Sequence, residues 1–352
     1  MSEKNETVEA PTTHEYGNAR PRREFVRGIA ALTASASLSA YDFRRANAEA
    51  ILETTRIRLV KGAGLCVAPQ YVAEELLYAE GFTNVEYVPE TTEIGTSKLV
   101  ATGDADINMA FALPLIIRVD ASEPVVILGG IHVGCYELVV TKHIDEFRDL
   151  RNKRVAVPGA GSTHHLYLST ILSYVGVDPR KGVQWVFVSK EEGKQLLADG
   201  KVEAYLGFAP EPQELRASGI GRVLLNSSTD SPWSQYFCCM VSGNREFVRK
   251  HPVAAKRALR AILKASDLCS SQPEKVARTL VDKGYSRNYE IALAVMKELP
   301  YRAWREYNPE DTLRFYALRL HELGMIKSTS KKIIAQGTYW RFWNELKKEL
   351  KA

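Results

Sequence analysis

Long hydrophobic runs are missing from this 352-residue chain: no stretch approaches the ~20 consecutive apolar residues of a membrane-crossing helix. Cysteine is scarce and badly placed for cross-linking. The five are Cys66, Cys135, Cys238, Cys239 and Cys269, with no C-x-x-C pair, and an odd number cannot all pair within one chain. Bridging adjacent Cys238 and Cys239 to each other demands a strained geometry. The pattern indicates no disulfide framework and reads as buried, small apolar side chains. His132-x-x-Cys135 is too small a cluster to argue for a metal, so neither a metal nor a cofactor is expected. The GxSxG, HExxH, EF-hand and GxxxxGK[ST] patterns are also missing, which removes the commonest sequence-readable hydrolase, metalloprotease, calcium and nucleotide sites. Basic residues outnumber acidic ones by 47 to 42, but no basic block is interleaved with aromatics. The +5 excess is therefore read as solvated surface and not as a nucleic-acid footprint.

What remains is an ordinary globular composition, 45% hydrophobic and 25% charged, long enough for two lobes with real cores. Residues 1–50 read as an export signal. A polar start leads into Arg22-Arg23-Glu24-Phe25-Val26-Arg27, then a weakly apolar segment from Gly28 to Leu38, then small-x-small sites at Ala46-Asn47-Ala48 and Ala48-Glu49-Ala50. Paired arginines ahead of a weakly hydrophobic stretch resemble a twin-arginine signal, although Pro21 stands where Ser or Thr is preferred. This order predicts a periplasmic mature protein.

The chain then repeats itself. Ile57-Arg58-Leu59-Val60 runs into Gly62-Ala63-Gly64 and a helical stretch over about 71–80; Arg154-Val155-Ala156-Val157 runs into Gly159-Ala160-Gly161 and a helical stretch over about 165–174. Each unit continues through a glycine, Gly81 or Gly176, to a second strand and a second helix. The pairs Gly103/Gly200, Asp106/Glu203 and Phe111/Phe208 then recur at the same offset. Each copy reads βαβαβ, an α/β unit whose parallel strands need helical crossovers. Right-handed crossovers put the strand-to-helix loops at one sheet edge, where ligands of open α/β sheets bind. Two such lobes make a cleft walled by the glycine loops. From about Asn244 the pattern is helical, with stretches opened by Pro252, Pro273, Tyr289, Pro309 and Trp340 expected to cover the first lobe.

Three segments carry a family resemblance: Leu99-x-x-x-Gly103-Asp104-Ala105-Asp106, Arg154-Val155-Ala156-Val157-Pro158-Gly159-x-Gly161-Ser162-Thr163-His164, and Gly200-x-x-Glu203-Ala204. On them, residues from about 55 to 350 resemble the nitrate/sulfonate/taurine-type ABC solute-binding proteins. These are type II periplasmic binding proteins whose branch includes the thiamine-pyrimidine precursor proteins. The resemblance implies a two-lobed fold with hinge strands: lobe I from 51–137 and 238–352, lobe II from 138–237. It implies a monomer that binds a small organic molecule, with sulfonate- or carboxylate-like anions among the candidates, in the interlobe cleft and works with an ABC permease and ATPase. Contact with the membrane would come only through the permease. A thiamine-precursor enzyme and a periplasmic sensor partner share the fold and remain alternatives.

The candidate ligand residues sit where the loops face the cleft. Gly161, Ser162 and Thr163 precede a helix, whose N–H groups and hydroxyls attract anions, although a plain N-cap is an equal reading. His164 follows them. From the first lobe come Cys66, near the cleft, and Gln70, a hydrogen-bonding candidate. Phe111 and Phe208 end equivalent strands, offering an apolar platform or core packing. Glu211 is a candidate acceptor for an amine or hydroxyl, or a rim salt bridge. Tyr236 lines the cleft or braces the hinge. The glycine loop itself holds no Lys or Arg, which weakens the case for a strongly charged anion.

Overall fold

Two five-stranded mixed sheets, each wrapped by helices, account for the architecture. The computed structural model describes residues 50–351 apart from residues 63 and 91–94, so nearly all of the proposed export signal lies outside the described residues. Residues Leu52–Ala352 fold as one compact unit.

In the first half, β1 (Arg56–Lys61), α1 (Ala68–Val72), α2 (Glu74–Ala79), β2 (Asn84–Pro89), α3 (Ser97–Thr102), β3 (Ile107–Phe111), α4 (Ala112–Asp120) and β4 (Val125–Val133) follow in order. The second half runs β5 (Tyr136–Val140), β6 (Arg154–Val157), α5 (Thr163–Tyr174), β7 (Gln184–Phe187), α6 (Lys190–Ala198), β8 (Ala204–Phe208), α7 (Glu211–Ala217), β9 (Arg222–Asn226) and β10 (Phe237–Asn244). The chain ends in α8 (Arg245–Lys250), α9 (Pro252–Ser271), α10 (Pro273–Asp282), α11 (Tyr289–Glu298), α12 (Pro309–Glu322), α13 (Ser330–Gly337) and α14 (Trp340–Glu349).

Strand order is β2-β1-β3-β10-β4 in one sheet and β7-β6-β8-β5-β9 in the other. The first three strands of each are parallel, as the βαβαβ reading requires. One strand in each sheet, β10 or β5, runs antiparallel to both of its neighbours; it is the strand that follows a crossing, since the chain changes sheet between β4 and β5 and returns between β9 and β10. The helical stretch expected over 71–80 is two short helices, and it starts earlier, at Ala68, with Pro69 in the first turn where its missing N–H costs nothing.

The repeat extends to an ion pair. Asp106 accepts from the Arg58 backbone N–H at 2.8 Å and from its guanidinium at 2.6 Å; Glu203 accepts from the Arg154 N–H at 2.8 Å and its guanidinium at 2.9 Å. Each carboxylate thus ties the start of a sheet's first strand to its third, which explains why an acid recurs at that offset.

The C-terminal helices mostly cover the first sheet, but they also reach the second. Glu298 of α11 accepts from Arg216 at 2.6 Å and Gln213 at 2.9 Å on α7, and Tyr316 of α12 lies edge-on to Tyr167 of α5.

A disulfide joins Cys135 to Cys238, with Cα atoms 6.6 Å apart. The sequence indicates no disulfide framework and leaves open whether any single pair is bridged; this one is. Cys135 sits in the outgoing crossing and Cys238 is the second residue of the returning strand, and β10–β4 pairing brings Phe237 opposite Val133. Residues separated by 103 positions therefore meet at the hinge, which spacing in the sequence does not reveal.

Candidate functional site

A cleft of about 730 Å³ opens between the sheets at the ends of β1, β3, β6 and β8. That is a volume suited to a small organic molecule. Its lobes touch at the back: Leu65 N–H donates to the Ala209 carbonyl at 3.1 Å, and a Cβ on Gly64 would lie 2.8 Å from the Phe208 ring. A glycine there lets the first loop press against the second lobe.

On the second-lobe wall, β6 ends in Pro158 and the loop Gly159-Ala160-Gly161. Gly161 has φ +76°, a conformation that favours glycine. Ser162 caps α5, accepting from His165 N–H at 3.2 Å, and it lines the cleft together with Gly161, Thr163 and His164. The cap and the cleft position hold together. His164 is 2% exposed, with neither ring nitrogen hydrogen-bonded, and burial together with nearby Lys190 drives its pKa well below the usual histidine value. It faces the site as a neutral imidazole, against Tyr136 and Phe208. Phe208 and Phe111 both line the cleft, and Phe111 packs on Tyr136 at 5.0 Å and Tyr167 at 5.1 Å, so it is platform and core at once.

Three candidates play other parts. Gln70 lines the cleft, yet its amide is already used: Nε2 donates to Val60 O at 2.6 Å and Oε1 accepts from Met109 N at 2.7 Å. It bridges β1 and β3 just beyond their last paired residues, where the strands part. Glu211 is 6% exposed and is not among the lining residues. It accepts from Tyr205 Oη at 2.8 Å and sits 3.4 Å from Lys190 Nζ, so it acts behind the wall; burial, opposed by Lys190, raises its pKa. Tyr236 is also outside the lining and stacks on Phe315 at 4.0 Å, bracing the returning crossing against α12. Cys66 lies at the cleft floor and is 5% exposed.

The structure adds groups that the sequence reading missed. Lys190 opens α6 and hangs over Phe208 with Nζ 4.1 Å from the ring centre. Arg118 of α4 lines the cleft while Glu123 holds its guanidinium at 2.9 Å and Ser97 accepts from its Nε at 3.2 Å. Glu90 lines the same wall with its pKa raised by burial. Asn108 is 1% exposed, and neither amide atom has a partner. Such a buried amide is expensive to leave unmatched. Its repeat-equivalent, Tyr205, satisfies its hydroxyl on Glu211. Positive charge therefore reaches the cleft from helices outside the glycine loop.

The geometry agrees with the comparisons. Over 190 residues the chain is 26% identical to the taurine-binding periplasmic protein of Escherichia coli (strain K12), covering 51% of this chain and 58% of that protein, so the match spans little more than half that relative's length. The periplasmic nitrate-binding protein NrtA of Synechocystis PCC 6803 superposes with a TM-score of 0.73 over 86% of this chain and 90% of that one, at 17% identity. The periplasmic aliphatic sulphonate binding protein SsuA of Escherichia coli gives 0.66 over 83% and 98%, at 18% identity. These two likenesses concern the fold, a periplasmic binding protein architecture. The NMT1-like family model matches residues 52–281, and the chain belongs to the NMT1-like family.

Proposed function

We propose that this protein is an exported, periplasmic solute receptor that captures a small organic anion, with a sulfonate- or carboxylate-like head, for an ABC permease and ATPase. One observation carries the reading. The N-terminus of the twelve-residue α5, with Ser162 and Thr163, faces the same cleft as Lys190 and an aromatic wall of Phe111, Tyr136 and Phe208. Helix N–H groups and an ammonium suit the head, and the rings suit the organic body. Asn108 and neutral His164 supply polar contacts that fix orientation. The relatives named for taurine, nitrate and sulphonate binding support the same class of solute.

The test is a thermal-shift screen of sulfonates, aromatic carboxylates and pyrimidines, followed by calorimetry on hits. Replacing Ser162 and Thr163 together by Ala, or Lys190 by Ala, should weaken an anionic hit about tenfold or more, roughly 1.4 kcal/mol, with the circular dichroism unchanged. Unchanged affinity in both variants overturns the head-group assignment. Conversion of a bound compound to product overturns the receptor reading in favour of an enzyme on this fold.

A further inference from the structure

At the floor of the cleft the sulfur atoms of Cys66, Cys135 and Cys239 all lie within 4.8 Å of one another. They come from three separated parts of the chain: the loop after β1, the outgoing crossing and the returning strand β10. Each is nearly buried, at 5%, 6% and 3% exposure, and each lines the cleft, so the cluster is reachable from it. Cys66 and Cys239 are free thiols, while Cys135 is tied to Cys238. Cys269 is a free thiol elsewhere, buried in α9, and serves as an internal control.

We propose that Cys66, Cys135 and Cys239 form a binding site for one thiophilic divalent d10 ion, opened when the Cys135–Cys238 bridge is reduced. An ion with bonds of about 2.3 Å to sulfur holds three sulfurs about 4 Å apart, so the cluster needs to tighten by less than about 1 Å. The charge selects the ion. Three thiolates around a monovalent ion leave two uncompensated negative charges among apolar walls; a divalent ion leaves one, and burying the second is costly. Three protein ligands leave one tetrahedral position for a molecule in the cleft. Opening the site takes two electrons and two protons from a dithiol, which leaves as its own disulfide, and frees Cys135 and Cys238 as thiols. The ion then displaces one proton from each of the three ligand thiols. Because the ligands join the first loop to both crossings, the ion would clamp the hinge.

The proposal stands independently of the solute, so its test uses Cd2+ alone. The full chain is reduced with a phosphine, which takes up the oxygen of water as it donates two electrons, and is then titrated anaerobically beside the bridged protein. Expected are one Cd2+ per reduced chain with sulfur-to-cadmium charge-transfer absorption, and affinity at least about tenfold weaker in the bridged protein. Cys66→Ser and Cys239→Ser should each lower the affinity at least as much, and Cys269→Ser should not change it. Absence of charge transfer in the reduced protein overturns the proposal. So does equal binding by the bridged protein, or binding indifferent to both Cys66→Ser and Cys239→Ser. Should either variant lose its melting transition, alkylation of the reduced wild-type protein decides: Cd2+ slows modification of Cys66 and Cys239, and unchanged rates overturn the site.

Discussion

Replacing Gln70 by Leu separates its two readings, ligand contact and strand bridge. The side chain is 1% exposed, and its amide holds Val60 O and Met109 N at 2.6 and 2.7 Å. Leu fills nearly the same space and leaves both backbone groups orphaned. Each unsatisfied group costs about 1–3 kcal/mol, so the variant loses about 2–6 kcal/mol. At ~2–4 °C per kcal/mol, melting falls by about 4–24 °C. Gln70→Glu supplies the sign. The ionised carboxylate accepts from Met109 N but repels Val60 O; the protonated form donates to Val60 O and mimics the amide. The new carboxyl therefore has a folded-state pKa above its unfolded value of about 4.3. Its stabilising bond is fully present below the unfolded value and is lost as pH rises through the folded one. Urea unfolding of both variants at about pH 5 and about pH 8 is the assay, and Gln70→Glu should approach wild type only at the lower pH. A wild-type urea midpoint for Gln70→Leu, combined with lost solute affinity, would refute the bridging role and return Gln70 to the ligand contacts.

Gly64→Ala suits the backbone (φ −83°, ψ 136°), but its methyl would meet the Phe208 ring at 2.8 Å and Cys66 Sγ at 3.2 Å. Calorimetry should show solute affinity reduced by about three- to tenfold from poorer lobe closure, with melting little changed. Asp106→Asn should cost more than Glu203→Gln, about 2–4 against about 1–2 kcal/mol by urea unfolding, since the carboxylates are 7% and 23% exposed while making the same bonds. His164 is buried neutral, faced by Tyr136, Lys190 and Glu211, and its folded pKa lies well below its unfolded value. Its contribution is therefore present above the unfolded pKa of about 6.5 and falls away as acid protonates the unfolded chain, by up to about 1.4 kcal/mol per pH unit. His164→Gln should flatten the stability–pH curve just below about pH 6.5, and an unchanged slope would place the proton elsewhere.

The parts of the fold legible in the sequence were those written twice. The recurrence of Gly103/Gly200 and Asp106/Glu203 reports a shared constraint: both glycines have positive φ at helix ends, and both acids hold the first strand of a sheet to the third. The helices opened by Pro252, Pro273 and Pro309 were legible because proline is tolerated in a first turn and removes the N–H that would continue a preceding helix. The short α13 was not. Its eight residues, Ser330–Gly337, bury only Ile333 and Gly337, too few for a periodic stripe. The Cys135–Cys238 bridge was hidden for a different reason. It depends on the two crossings lying side by side, a property of topology and not of spacing.

The cleft's chemistry was least legible because it lies where the copies differ. Equivalent strand positions hold Asn108 and Tyr205; the tyrosine hydroxyl is satisfied within its own lobe by Glu211, while the asparagine amide is left facing the cleft. The charge comes from positions outside the repeated words. Lys190 opens α6, and its ammonium is balanced from behind by Glu211 and placed over Phe208 in front. A loop-by-loop search for cations misses it, since neither glycine loop contains one. Glu211 then makes sense as the counter-ion that positions Lys190, and not as an acceptor for solute. Removing it should act through Lys190. Glu211→Gln leaves the ammonium without its counter-ion, drawing an anionic solute more strongly, by roughly twofold to tenfold, at a cost in stability of about 1–3 kcal/mol. Calorimetry beside urea unfolding reads both signs. If Glu211 were a solute ligand for an amine, the same substitution would weaken binding, so the direction of the affinity change distinguishes an anion receptor from a receptor for cations.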